Sequence, residues 1–253
     1  MGARFTDKVV LVTGGGGALG RAAALSFAGE GATVAVAART EGSAKETVSL
    51  IEANGGKASG VVVDVTRSES VKAMVDTVVA RHGGLHVAFN NAGVLGGGTP
   101  VGDHDEDVWN QVLAVNLTGV FLAMKYETAY LAANGGGTIV NTASNLGAHW
   151  RLAGMSAYAT SKAGVSFLTR TAALEYIGRG VRINSISPGP IDTPMSYLAG
   201  ENREQRDARL SPTVPLGRVA DPQEIANAVL WLASEESSYV VGHDHVIDGG
   251  ATA

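Results

Sequence analysis

Seven short runs of apolar and β-branched residues recur along the chain, at 9–13, 33–38, 60–64, 86–90, 138–142, 182–187 and 245–247. Between them lie stretches with helical spacing of apolar positions, at 19–29, 43–54, 68–82, 104–132, 155–178 and 222–233. Strands that are apolar without alternation are buried on both faces, and the intervening helix supplies the crossover that a parallel pair needs. With right-handed crossovers the pattern predicts one α/β domain over 1–253. It is a doubly wound Rossmann fold, with a seven-stranded parallel sheet and helices on both faces. One segment interrupts the alternation. Residues 200–209 are the most polar stretch and are flanked by Pro194, Pro212 and Pro215. Two readings fit it, a substrate lid over 194–215 and a solvated surface helix.

Composition narrows the function classes. The chain has no cysteine, which excludes disulfides, thiolate metal sites and a cysteine nucleophile, and fits a reducing cytoplasm. A net charge of −5 with no basic run argues against nucleic-acid or acidic-membrane partners. The first apolar run is too short for a signal peptide or a membrane span. Met1-Gly2-Ala3-Arg4-Phe5-Thr6 matches a loose myristoylation pattern and is read as coincidence. The sequon Asn116-Leu117-Thr118 falls in a helical stretch and is discounted.

The first strand runs into Thr13-Gly14-Gly15-Gly16-Gly17-Ala18-Leu19-Gly20 and then a helix. Glycines at such a turn permit a tight bend and close approach of a ligand, and the helix N-terminus offers free N–H groups to a pyrophosphate. No Gly-Lys-Ser/Thr follows, so this is not an ATP-type loop. The second strand ends Val36-Ala37-Ala38-Arg39-Thr40. A dinucleotide fold specific for NAD usually places a carboxylate here for the ribose 2′-hydroxyl; none is present, and Arg39 suits a 2′-phosphate. NADP is therefore the expected cofactor, with NAD as the alternative.

Tyr158 and Lys162 lie four residues apart, one helical turn, on one face. A free phenol with a pKa of about 10 is a poor acid–base catalyst at neutrality, and a nearby ammonium would lower it. A helix core also collects Tyr and Lys at this spacing, so the pair alone does not decide.

The ordered set decides more. Thr13-Gly14-x-x-x-Ala18-x-Gly20, Asp64-Val65, Asn90-Asn91-Ala92-Gly93, Asn116, Ser144, Tyr158-x-x-x-Lys162, Pro188-Gly189 and Asp248-Gly249-Gly250 follow one another. Over essentially its whole length the chain resembles the short-chain dehydrogenase/reductase family. The resemblance implies that Gly14, Gly16, Gly17, Ala18, Leu19 and Gly20 cradle the pyrophosphate. Asp64 would bond the adenine amino group, with Val65 beside it. Asn91, Ala92 and Gly93 would line the adenosine, and Ile191 and Thr193, after Pro188 and Gly189, would meet the nicotinamide carboxamide. Tyr158 would be the general acid and base, Ser144 would orient the substrate oxygen, and Lys162 would stabilise the phenolate and bond the nicotinamide ribose. Asn116 would hold a water linking Lys162 to solvent. Two positions depart from the pattern or its NADP form: Ala18 stands where the family usually has Gly, and Gly17 where many NADP-preferring members carry a basic residue.

Substrate contacts are expected beyond the strand carboxyl ends, from Leu95, Asn145, Trp150, Met155, Met195 and Leu198, with His149, Arg151 and Tyr197 nearby. Their character suits an apolar ketone or secondary alcohol as the small-molecule partner. His243-Asp244-His245 puts two imidazoles on one strand face but lacks a third ligand, so no metal is expected. The acids of 103–107 fit the start of a helix. Apolar faces on 104–132 and 155–178 exceed what one sheet surface needs, and relatives pair such helices into homotetramers. The expectation is an NADP(H)-dependent carbonyl and alcohol oxidoreductase. Alternatives are an NAD-linked alcohol or sugar dehydrogenase, a 3-oxoacyl-carrier-protein reductase and, furthest, a non-catalytic dinucleotide sensor.

Overall fold

The computed structural model describes residues 3–253, so Met1 and Gly2 of the myristoylation pattern lie outside the described residues. The strands are β1 (Val9–Thr13), β2 (Thr33–Ala38), β3 (Lys57–Val62), β4 (Val87–Asn90), β5 (Gly137–Thr142), β6 (Val181–Pro188) and β7 (Asp244–Ile247). They form one sheet of order β3-β2-β1-β4-β5-β6-β7, parallel throughout. The helices are α1 (Ala18–Gly29), α2 (Glu41–Ala53), α3 (Ser68–His82), α4 (Glu106–Leu113), α5 (Gly119–Ala133), α6 (Asn145–Ala148), α7 (Ser156–Tyr176), α8 (Arg203–Leu210) and α9 (Pro222–Ala233).

Successive residues of β1 divide between two cores. Val9 and Leu11 join the layer containing Val71 and Met74 of α3, Met124 and Leu131 of α5 and Val165 of α7. Val10 and Val12 join the other, with Phe27 of α1, Ile51 of α2 and Val229 of α9. This is the period-2 geometry of a strand covered on both sides, and it explains why β1 carries no polar alternation. The order reverses at β1, whose neighbours are β2 and β4, and the crevice above their carboxyl ends is where such sheets bind ligands.

Differences from the sequence expectation have physical causes. β3 starts at Lys57 rather than residue 60 and ends at Val62 rather than 64. It is the edge strand, and its half-exposed Lys57, Ala58, Ser59 and Gly60 carry no apolar signal although they pair with Thr33 to Val36. The helical stretch 104–132 begins at Glu106 because Asp105 caps it, accepting from the backbone N–H of Asp107 and Val108; this is the role expected for that acidic run. The stretch also contains a π-helical turn, Ala114–Thr118, centred on Asn116. Segment 200–209 holds a helix, α8, with a capping box between Asn202 and Gln205. Among the described residues, no helix is long and apolar enough to cross a membrane.

Candidate active site

The turn after β1 is shaped by what its glycines touch. Gly14 has φ +64°, and a Cβ there would lie 2.9 Å from Ala92 Cα. A Cβ on Gly20 would lie 2.3 Å from the Gly14 carbonyl oxygen, so the turn folds onto the first turn of α1. Thr13 Oγ1 accepts from Asn91 N at 3.0 Å and Ala92 N at 3.3 Å, binding the ends of β1 and β4 together. Thr47 of α2 donates to Gly15 O at 3.0 Å, and Arg21 of α1 donates to Gly16 O at 3.3 Å and to Thr47 Oγ1 at 3.2 Å. Thr13, Arg21 and Thr47 thus brace the loop from behind. The motif reading missed them as supports, because only the packing of α2 on α1 brings Arg21 and Thr47 together. α1 has Gly17 at its N-cap, no side-chain cap and no acid in its first turn. Its first-turn N–H groups therefore face the crevice without a side-chain acceptor, as a pyrophosphate site requires. Ala18 is half-buried at the first helical position and Leu19 packs into the core.

At one end of the crevice Arg39 is exposed just beyond β2. Asp64 accepts from Thr66 N at 3.0 Å and Thr66 Oγ1 at 2.6 Å. These bonds hold its carboxyl below the usual range, with the charges of Arg67 and Arg39 adding to them. Val65 meets the start of α5, within 3.1 Å of where a Gly119 Cβ would stand. On the other side of the crevice Gly189 N donates to Ile247 O at 2.9 Å, and Ile191 bridges to Ala220. Pro188 ends β6, and Thr193 precedes the short 3₁₀ turn Pro194–Ser196.

The catalytic candidates converge at the carboxyl ends of β4 and β5. Ser144 is buried, two residues past β5, and accepts from Leu146 N at 3.2 Å. Tyr158 lies in the first turn of α7 and Lys162 one turn on, with Lys162 Nζ 5.8 Å from the Tyr158 ring centroid. Lys162 donates to Thr142 O at 2.7 Å. A Cβ on Gly93 would fall 3.3 Å from Asn116 Oδ1 and 3.6 Å from Lys162 Nζ, so this glycine lets the β4 turn approach both. The Asn116 side chain is fully buried; its Oδ1 accepts from Val94 N, and its Nδ2 donates to Val94 O, both at 2.8 Å, and to Ser161 Oγ at 3.1 Å.

The expected lowering of the phenol by Lys162 is not what the environment does. Burial raises the Tyr158 phenol, and hydrogen bonding to Ser144 opposes the rise. Burial pushes the Lys162 ammonium down to about 8. Lys162 is buried and Tyr158 half-buried, and beside the neutral phenol Lys162 directs a donor at the Thr142 carbonyl.

The substrate candidates are less uniform. The 145–155 segment is fixed by Trp150 N donating to Asn145 O at 2.7 Å and Gly147 N to Trp150 O at 2.9 Å. Asn145 turns its amide to Asp248 Oδ2 at 3.4 Å, away from a free role. His149 Nε2 pairs with Asp244 Oδ2 at 2.8 Å, while the His243 and His245 rings lie 5.7 Å apart and tilted by 53°. Among the described residues no group of three or more His, Asp or Glu could hold a metal ion. Met155 lies within 3.9 Å of where a Gly98 Cβ would stand, Leu95 is half-buried, and Met195 and Leu198 are exposed.

A family model described as enoyl-(acyl carrier protein) reductase matches residues 16–252. Cyclohexanol dehydrogenase of Acinetobacter sp. (strain SE19) is 40% identical over 253 residues, covering 100% of this chain and 98% of that protein. Among solved structures, a short-chain type dehydrogenase/reductase from Mycobacterium marinum superimposes with a TM-score of 0.93 at 36% identity, over 99% of this chain and 98% of that one. A structure described as NAD+-bound xylitol dehydrogenase gives 0.92 at 34% identity, over 98% of this chain and 100% of that one.

Proposed function

As the chain belongs to the short-chain dehydrogenase/reductase family and acts as an oxidoreductase on CH–OH and C=O groups, we propose that it is an NADP(H)-dependent enzyme interconverting an apolar, cyclic secondary alcohol and its ketone. The supporting observation is the convergence of Ser144, Tyr158 and Lys162 beside Gly93, next to an uncapped helix N-terminus.

The residues fit a dinucleotide. The Gly14–Gly20 contact leaves no room for side chains, α1 presents unfilled N–H groups, and Arg39 stands exposed at the end of β2 with no carboxylate there. A bound nicotinamide dinucleotide supplies hydride in reduction and receives it in oxidation. In reduction the Tyr158 hydroxyl protonates the developing alkoxide and Ser144 orients that oxygen by a hydrogen bond. Lys162, charged below about pH 8, stabilises the phenolate left behind. In oxidation the same phenolate removes the alcohol proton. Asn116 keeps the β4 turn and α7 in register beside Lys162.

Tyr158→Phe should lower turnover by about 10³-fold, within the range of general acid–base catalysis, with cofactor Kd unchanged. Unchanged turnover would sink the assignment. The cyclic substrate is suggested by the Acinetobacter relative, a cyclohexanol dehydrogenase, and by the apolar character of Trp150 and Met155. A panel of cyclic and linear alcohols with both cofactors tests it.

The NAD alternative has support in the xylitol dehydrogenase neighbour. Kd values for both dinucleotides, in the wild type and Arg39→Ala, separate the two: a greater loss for NAD than for NADP would contradict the NADP assignment. Exposed Arg151 is thin support for docking an acyl carrier protein. Phe121 of α5 and Phe167 and Leu174 of α7 are 47%, 72% and 80% exposed, more apolar surface than a lone subunit should leave in water. We therefore propose a homotetramer paired through α5 and α7; a monomeric mass by light scattering would refute it.

A further inference from the structure

The segment after β6 is held by cations. Helix α8 has the sequence REQRDARL, and Arg203, Arg206 and Arg209 recur every three residues along it. Arg206 is 1% exposed and has the largest of the fully buried side chains. Its Nη2 donates to Asp192 Oδ1 at 3.0 Å, its Nη1 to Ser196 Oγ at 2.8 Å and its Nε to Asp207 Oδ1 at 2.6 Å. The guanidinium carbon lies 4.6 Å from the Tyr197 ring centroid, and the Tyr197 hydroxyl donates to Asp192 Oδ1 at 3.3 Å. Arg203 takes the other oxygen of Asp192 at 3.2 Å, and Arg209 donates to Ser196 O at 2.8 Å. Asp192 itself is fixed by donating its N–H to Ala220 O at 2.9 Å.

α8 therefore grips residues 192–197 from one side. This stretch contains Thr193 and Met195, and Ile191 and Leu198 flank it. A buried guanidinium is tolerated only where its hydrogen bonds offset its desolvation, and a planar fork reaches several partners that an ammonium cannot. We propose that Arg206 is a positioning residue, holding 192–198 against the nicotinamide and substrate end of the crevice. The 194–215 segment is then a lid latched by ions, with Arg206 as the latch. This rests on the reading of Ile191, Thr193, Met195 and Leu198 as cofactor and substrate contacts.

The test compares wild type with Arg206→Met and Arg206→Lys. It measures steady-state kinetics, calorimetric binding of adenosine 2′,5′-bisphosphate, and the rate of tryptic cleavage after Arg203 and Arg209. Arg206→Met should raise the alcohol KM about tenfold or more while kcat moves less than about threefold, a loss of binding rather than of chemistry. Cleavage should accelerate about tenfold as local opening becomes easier, with adenosine bisphosphate affinity unchanged. Arg206→Lys, which keeps one ion pair, should fall between. An unchanged KM with unchanged cleavage would overturn the proposal. So would a KM rise accompanied by equal loss of adenosine bisphosphate binding and a general fall in Tm, which would mark a merely structural arginine. If the wild type turns over no alcohol, the oxidoreductase reading fails separately and the cleavage rates alone decide the latch.

Discussion

Glu127 Oε2 accepts a hydrogen bond from Asn90 Nδ2 at 2.8 Å inside the protein, where neither residue touches solvent. Glu127 Oε1 and Asn90 Oδ1 have no partner. Two unpaired acceptors are what an ionised carboxylate leaves, and burial pushes the Glu127 carboxyl up to about 7. Between about pH 4.5 and 7 the folded protein holds a proton that the unfolded chain has released, so stability falls as pH rises through that window. The full penalty above pH 7 is about 3 kcal/mol for a shift of this size. Glu127→Gln supplies a donor and no charge. It should be more stable than wild type at pH 8 and nearly equal at pH 4.5. Urea midpoints at the two values check this; a constant difference would remove the titration from the account.

Lys162 should bend the curve in the opposite direction. Its ammonium is held down at about 8 by burial, so between pH 8 and 10.5 the unfolded chain binds the extra proton and stability rises with pH. Lys162→Met should flatten this limb while abolishing turnover. Differential scanning calorimetry of both proteins from pH 7.5 to 10 reads the slope, and parallel curves would contradict it.

Asp244 joins the last strand to the loop after Ser144. Its Oδ1 accepts from Ser185 Oγ at 3.0 Å and Ser187 Oγ at 2.7 Å, and its Oδ2 pairs with His149. Despite burial, hydrogen bonding by Ser166 together with Ser187, His149 and Ser185 holds its carboxyl below the usual range, so the stability it contributes is present above the unfolded carboxylate pKa and lost as pH falls through the lower folded value. Asp244→Ala should cost about 3 kcal/mol, since it strands buried donors. His149→Ala should cost less and act chiefly on KM, because it frees the segment carrying Trp150. Paired unfolding and kinetic measurements separate the two; an equal stability loss would show that His149 only packs.

Where burial follows apolar character, the fold was legible in the chain. β1 and β2 match their expected bounds because nearly every residue faces a core. β3 was misplaced because an edge strand needs only one apolar face, and α8 was ambiguous because its inner face is arginine. The motifs of the site are local in sequence, whereas Arg21, Thr47, Asp192 and Arg206 act by contacts across elements that no spacing announces. Glu127 was invisible for the same reason: a glutamate in a helix looks solvated until the sheet covers it. The phenol shift needed the burial of Tyr158, which an i, i+4 rule does not contain.

The glycines of the first turn should respond unequally to substitution. At Gly20 a methyl would meet the Gly14 carbonyl oxygen at 2.3 Å and Asn91 Nδ2 at 2.9 Å, both parts of the turn that must stay closed. Gly20→Ala should therefore lose dinucleotide binding and destabilise the domain by about 1–3 kcal/mol, the usual cost of overpacking. At Gly17 the backbone is extended, φ −86° and ψ 167°, and the nearest atom to a Cβ is Gly14 O at 3.4 Å. Gly17→Arg should fold, at a cost of about 0.5–1 kcal/mol from a cation beside the positive end of α1. Its guanidinium stands at the mouth of the cradle, where a 2′-phosphate reached by Arg39 would gain a second cation. Calorimetric Kd values should then show a gain of about tenfold for NADP and little change for NAD. Equal gains for both would place the new cation on the pyrophosphate instead, and a loss for both would show that the turn has no room for it.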